Sequence, residues 1–351
     1  MNNKARLDYV DFAKGIGMLA VIWGHIMDVG WSHSLIYGFH MPLFFFLSGM
    51  MFRKEKFPSF SIFLKRRFQS LIKPYLIISF ATWGIWGVYN FVSHGTVESY
   101  IKSLLQTFIA QGPGNYLVHN APLWFIPCLF FVEIVYFFIC KNELKINIIL
   151  CFICATLGWA MVQQNDFCDL SKLPWNMDYG LSVLPFYALG NLLIEKLGHQ
   201  KIVEYIKQRQ FKFAIIAMIL TILPVISVNC YGFISLASSL RKMVVWPYSV
   251  ALCGILFTMI IAVLVNFDSI KKHLQIIITP ILFIGRNCLF FLAFHCPIKG
   301  FVIVLIAKFF KLGGTRVVQT NMSYSLIAFL ISLAITAIVV SAVNYFIMKE
   351  K

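Results

Sequence analysis

The chain is short of charge, and shorter still of acid. Only 13% of its 351 residues are charged, with 14 acidic residues against 30 lysines and arginines, a formal net charge of +16. A soluble domain carries about a quarter charged residues. The shortage, together with 60% hydrophobic residues and a mean hydropathy of +0.79, excludes that class. Short segments of alternating apolar and polar residues are missing too, which excludes a transmembrane β-barrel. No small-residue cleavage site follows the first apolar stretch, and Lys14 interrupts it, so the N-terminus does not read as a cleavable signal peptide. Cys151 and Cys154 form a CxxC without a second ligand pair, inside an apolar run. They read as small core residues, and no metal is expected. The basic residues do not gather in one patch, so the positive charge is not the mark of a nucleic-acid partner.

What is present is a succession of apolar runs of about twenty residues, each long enough to cross a bilayer. We read ten spans, at 9–28, 35–52, 70–92, 122–140, 146–163, 179–196, 212–229, 245–266, 287–309 and 323–347. The expected fold is all-α: a polytopic membrane helix bundle of about ten transmembrane helices. It fills residues 1–351 as a single integral-membrane domain, with no added soluble domain. Lysine and arginine concentrate in alternate segments, at Arg53–Lys73, Lys196–Lys212, Lys271–Arg286 and Lys349–Lys351. The positive-inside rule makes those segments cytosolic, and both termini with them. The eight histidines read mainly as surface groups, with His33, His94 and His119 in outer loops and His199 and His273 on the inner side.

One stretch departs from an ordinary span. LDYVDFAKGIGMLAVIWGHIMD, Leu7–Asp28, carries Asp11, Lys14 and His25 in an apolar setting. Ionisable groups inside a span are costly and mark functional sites. Lys14 and His25 are eleven residues apart, three helical turns plus about 20°, so they share a face roughly 16 Å apart along the axis. Asp11 precedes Lys14 by three and Asp28 follows His25 by three, so each acid is expected beside its base. The short connection to the second span puts His40 at the depth of His25. Ser48 and Gly49 are small enough there to admit another helix. Arg66, Arg67 and Lys73 cluster at the cytosolic mouth of the third span, suited to anionic lipid headgroups or to a phosphorylated ligand. VESYIKSLLQTFI, from Val97, reads as an amphipathic surface helix. Glu133 is the one acid well inside a later span; a hydroxyl or Lys14 is expected as its partner. Trp175, Asn176 and Asp178 end an outer segment whose acids and aromatics suit a glycan or any exposed loop. His295 lies in the middle of the ninth span.

LDYVDFAKGIGMLAVIWGH, FHMPLFFFLSG, FLKRRFQSLIKPY and PLWF, with GRNCLFFLAFH more weakly, resemble the membrane-bound acyltransferase family 3. The likeness is greatest to its fucose 4-O-acetylase-like branch of sugar O-acetyltransferases. It is strongest over about the first 75 residues. Lys14 stands where many members have arginine, which keeps the charge but loses the planar fork. Cys288 stands where serine is common. The resemblance implies transfer of an acetyl or other short acyl group from cytosolic acyl-CoA, the donor substrate, with no bound cofactor. The acceptor is a hydroxyl of a surface polysaccharide, a lipopolysaccharide or a lipid-linked precursor. The setting is a cell membrane, expected to be a bacterial inner membrane. His25 is the expected base, with Lys14 and Asp11 as catalytic companions. Arg66, Arg67 and Lys73 are expected to bind the donor, and His40, Ser48, Glu133 and His295 to assist or meet the acceptor. A histidine suits removal of a hydroxyl proton because its unperturbed pKa lies near neutrality. The competing readings are a polysaccharide or glycolipid transporter, against which the lack of a second copy of the acid, base and histidine pattern speaks, and a non-catalytic member of the same fold.

Overall fold

Every regular element in this computed structural model is helical among the residues it describes, 7–94, 97–111, 117–164, 173–232 and 245–349. The helices are α1 (Asp8–Ile26), α2 (Trp31–Tyr37), α3 (His40–Met51), α4 (Phe60–Arg67), α5 (Lys73–His94) and α6 (Val97–Ile109). They continue with α7 (Phe125–Ile139), α8 (Leu144–Gln164), α9 (Met177–Gln208) and α10 (Gln210–Tyr231). The series ends with α11 (Val245–Val265), α12 (Asp268–His273), α13 (Gln275–Arg286), α14 (Cys288–Phe309), α15 (Thr315–Thr320) and α16 (Met322–Lys349). Backbone groups cannot be met by solvent inside lipid, so an apolar chain that crosses it closes its hydrogen bonds within helices.

Among the described residues, eight stretches are long and apolar enough to cross a membrane, including Trp31–Met51, Phe60–Val88, Ala121–Ile139 and Cys288–Phe309. Two expected spans fall outside that set. α1 carries Asp8, Asp11 and Lys14, and the first part of α9 carries Asp178, Glu195 and Lys196 before the helix breaks at Gly198, whose φ of 71° is a left-handed value that glycine adopts without strain. The third span begins earlier than expected. α4 is capped by the Ser59 hydroxyl, which accepts from the Ile62 amide at 3.4 Å, and it continues through one π-helical turn, Phe68–Ile72, into α5.

The chain forms two compact units, one from Met1–Met50 with Leu192–Lys351 and the other from Met51–Asn191. In the first, α1 is packed against α13, which lies in the segment expected as a cytosolic connection. The approach is backbone to backbone. A Cβ on Gly285 would stand 1.7 Å from the Asp11 carbonyl oxygen, and one on Gly15 2.2 Å from that of Ile281. Only glycine at both positions permits this crossing. In the second unit Phe52, Phe63, Tyr136, Phe137 and Tyr187 form a buried aromatic core. α6 turns Ser103, Gln106 and Thr107 inward and exposes Ile101, Leu105 and Phe108. That is the arrangement of an amphipathic helix whose apolar face meets lipid.

The histidines differ from the surface groups expected. His33, His119 and His199 are buried, as are His40 and His295. Burial pushes the His119 imidazole down to about 4, because a charged ring loses its hydration there.

Candidate functional site

The two ends of α1 are built from different chemistry. At its N-terminal end, charges are paired. Lys271 Nζ donates to Asp8 Oδ2 at 2.6 Å and Arg286 to Asp8 Oδ1 at 2.8 Å. Arg286 Nε also stands 3.6 Å from Asp11 Oδ2. The Gly15–Gly285 crossing sets this up by bringing the last turn of α13 against the first turns of α1. Asp11, expected beside Lys14, stands within ion-pair range of Arg286. Lys14 and Asp11 both lie within electrostatic reach of Cys288, the first residue of α14. Tyr9 Oη is 2.6 Å from His199 Nδ1, beside a cavity of about 320 Å³ that Asp8 and Glu204 also line.

At the C-terminal end, imidazoles gather. His25 and His295 rings are 5.4 Å apart, centroid to centroid, and tilted by 39°. Cys296 follows His295 on α14, and a ligand-type atom from each of these three residues lies within 4.8 Å of the others. Lys299, one turn on, donates from Nζ to the His25 carbonyl oxygen at 3.0 Å. His40 and His33 are in electrostatic reach of His25.

Hydrogen bonding assigns the tautomers here. His295 Nδ1 is 2.9 Å from the Phe291 oxygen, His40 Nδ1 2.9 Å from that of Ile36, and His33 Nδ1 2.7 Å from that of Met27. A carbonyl only accepts, so each Nδ1 carries a proton, which leaves Nε2 as the ring atom that can accept one. His295 Nε2 is buried and has no hydrogen-bond partner. Asp28, expected at His25, lies beyond the end of α1, where its carboxylate pairs with Arg316 and its amide donates to the Gln319 oxygen. By donor type His25, His295 and Cys296 could hold a metal ion; the Lys299 ammonium beside them opposes one.

The basic cluster lies in the other unit and divides. Arg66 is exposed and donates to the Lys56 carbonyl at 2.9 Å, and Lys73 is exposed. Arg67 turns inward, its Nε 2.9 Å from Glu133 Oε2 and its guanidinium over the Phe57 ring. The Tyr187 hydroxyl donates to Glu133 Oε1 at 3.4 Å. Glu133 thus has the hydroxyl partner expected, while its cation is Arg67 rather than Lys14. Tyr136 donates to Asn191 at 2.8 Å, and Asn191 to the Phe52 carbonyl at 3.0 Å, which extends the network. Ser48 is half-buried on α3. Of the supposed glycan-contact loop, Trp175 donates to the Phe108 carbonyl at 2.9 Å, and Asn176 and Asp178 are buried. Asp166 and Asp169 lie outside the described residues.

A family model described as an acyltransferase domain, that of acyltransferase family 3, matches residues 7–341. The chain belongs to acyltransferase family 3. Neither a curated protein nor a solved structure gives a significant match. The chain is thus a membrane acyltransferase by family, and the α1–α14 cluster is its candidate site. Sequence reading missed Cys296, Lys299 and the role of Arg286. Their signal was available in part: His295 and Lys299 are four apart, and Cys296 and Lys299 three apart, which puts them on one helical face.

Proposed function

We propose that this member of the acyltransferase family moves a short acyl group, most simply acetyl, from cytosolic acyl-CoA to a hydroxyl of a cell-surface carbohydrate or its lipid-linked precursor. The observation that carries the reading is the cluster at the C-terminal end of α1, where His25 stands against His295, Cys296 and Lys299. Acyl transfer to an alcohol needs a base for the hydroxyl proton and positive charge for the oxyanion of the tetrahedral intermediate. His25 supplies the first and the Lys299 ammonium the second. His40, with its lone pair at Nε2, assists at the acceptor. In this reading the N-terminal end of α1 is cytosolic, Arg66 and Lys73 contact the CoA phosphates, and Arg67 is held by Glu133 to shape that surface. Lys14 lies between the two ends, toward the thioester.

The membrane is a bacterial inner membrane with both termini cytosolic, and the closest functional analogy is to the fucose 4-O-acetylase-like branch. The test is mass spectrometry of host surface glycans with and without the protein. An O-linked acyl mass that depends on its presence is expected. Glycans unchanged by its removal, in a host that displays the acceptor class, would exclude the carbohydrate assignment.

A further inference from the structure

We propose that Cys296 carries the acyl group as a thioester between donor and acceptor, with His295 as the base that activates it. This rests on the acyl-CoA reading above and goes beyond it, by giving transfer two chemical steps and a second nucleophile.

His295 is fully buried, and both carbonyls at its Nδ1, those of Phe291 and Leu292, only accept. The lone pair is therefore at Nε2, which is buried and unpartnered. An unpaired buried acceptor is costly, so it calls for a donor. The Cys296 thiol is a donor in the same 4.8 Å cluster. Lys299 is also in electrostatic reach of Cys296. Among the described residues the other cysteines lack this setting. Cys128 donates to the Asn176 carbonyl at 3.5 Å and Cys140 to that of Phe137 at 3.3 Å, as small core groups do. Cys296 and His25 keep partial exposure, whereas His295 is enclosed.

The steps balance without any added reagent. His295 Nε2 takes the thiol proton, and Cys296 Sγ attacks the acyl carbon of acyl-CoA. The carbon–sulfur bond to CoA breaks, and the CoA thiolate leaves with the proton from His295. One thioester has become another, so the acyl group stays activated. The acceptor hydroxyl then attacks the Cys296 thioester while His25 takes its proton. The bond to Cys296 breaks, and the thiolate recovers the proton from His25. The polyanionic donor and the glycan never need to occupy the site together, which is the advantage of covalent catalysis.

The experiment uses the full-length protein in lipid nanodiscs with radiolabelled acetyl-CoA, acid-quenched before an acceptor is added. Label is expected on the peptide containing Cys296 and is released by neutral hydroxylamine, as a thioester is. Cys296→Ser, nearly the same size, loses that label and abolishes protein-dependent glycan acetylation in cells. His295→Gln loses the label, whereas His25→Gln keeps it and fails to pass it on. Normal glycan acetylation by Cys296→Ser, or label found on His25 in place of Cys296, overturns the relay and leaves the acyltransferase reading standing. A wild-type protein that takes no label and leaves glycans unchanged overturns both.

Discussion

The N-terminal end of α1 satisfies its charges, and the C-terminal end leaves a base unsatisfied. Asp8 and Asp11 meet Lys271 and Arg286. Fourteen or more residues along the same helix, His25 faces a histidine whose Nε2 has no partner. A paired charge is locked into structure and has little left to offer a reaction. An unmet lone pair beside a thiol and an ammonium is held ready for a proton or a substrate, at a cost in stability that the fold elsewhere must offset. The contrast separates anchor from chemistry on one helix. The second unit shows the paired case again, with Arg67 and Glu133 sealed under an aromatic core.

The largest expected effect comes from the unsatisfied end. His25→Gln keeps a hydrogen-bonding side chain but cannot cycle a proton, so acyl transfer should fall by about 10²–10⁴-fold. Expression and thermal unfolding of the detergent-solubilised protein should hold. Near-normal turnover, measured as CoA thiol release coupled to glycan acetylation, would remove His25 from the chemistry and erase the contrast.

The crossing that creates the paired end comes next. Gly285→Val places a branched side chain where a Cβ alone would stand 1.7 Å from the Asp11 carbonyl. α1 and α13 must then separate, at a cost of about 3 kcal/mol or more. A drop in the melting temperature and in folded yield is expected, with activity lost in proportion to the folded fraction. A variant that folds fully yet is inactive would show that the paired end also takes part in catalysis.

Lys299→Met keeps the length of the side chain and removes the ammonium. Loss of one charged hydrogen-bond donor near the oxyanion should slow transfer by roughly 10- to 100-fold. The decrease should fall on kcat, since the group acts as charge develops. A change confined to KM would make Lys299 a brace for the His25 backbone and no more.

Much of this was legible in the residues. Apolar runs define the spans, and helical spacing puts Asp11, Lys14 and His25 on one stripe of α1 because both follow from backbone geometry alone. The partners were not legible, because they come from residues more than 250 positions away. Arg286 reaches Asp8 only through a glycine crossing, and α13, with Pro280 inside twelve residues, is too short to read as a span. Cys296 was hidden by its type, since a cysteine in an apolar run is ordinarily core. Asp28 misled in the opposite sense: three residues past His25 is one helical turn only if the helix continues, and α1 ends at Ile26.

The smallest expected effect tests whether the paired end is only an anchor. Asp8 is about one-third exposed, at 32% of its side chain, and Lys271 and Arg286 are similarly open, at 36% and 38%. Ion pairs in such a setting are screened and contribute about 0.2–1 kcal/mol each. Asp8→Asn removes both while keeping shape and one acceptor oxygen, so it should lower stability by about 1 kcal/mol or less at low ionic strength. The loss should shrink as salt is raised, because the Debye length falls from about 10 Å at 0.1 M to about 3 Å at 1 M and the wild-type pairs weaken in step. Acyl transfer per folded molecule should not change at any salt concentration. A defect in transfer that persists when stability has been equalised by salt would mean that charge at this end is felt at His25, nearly five helical turns away. The two ends of α1 would then be one device.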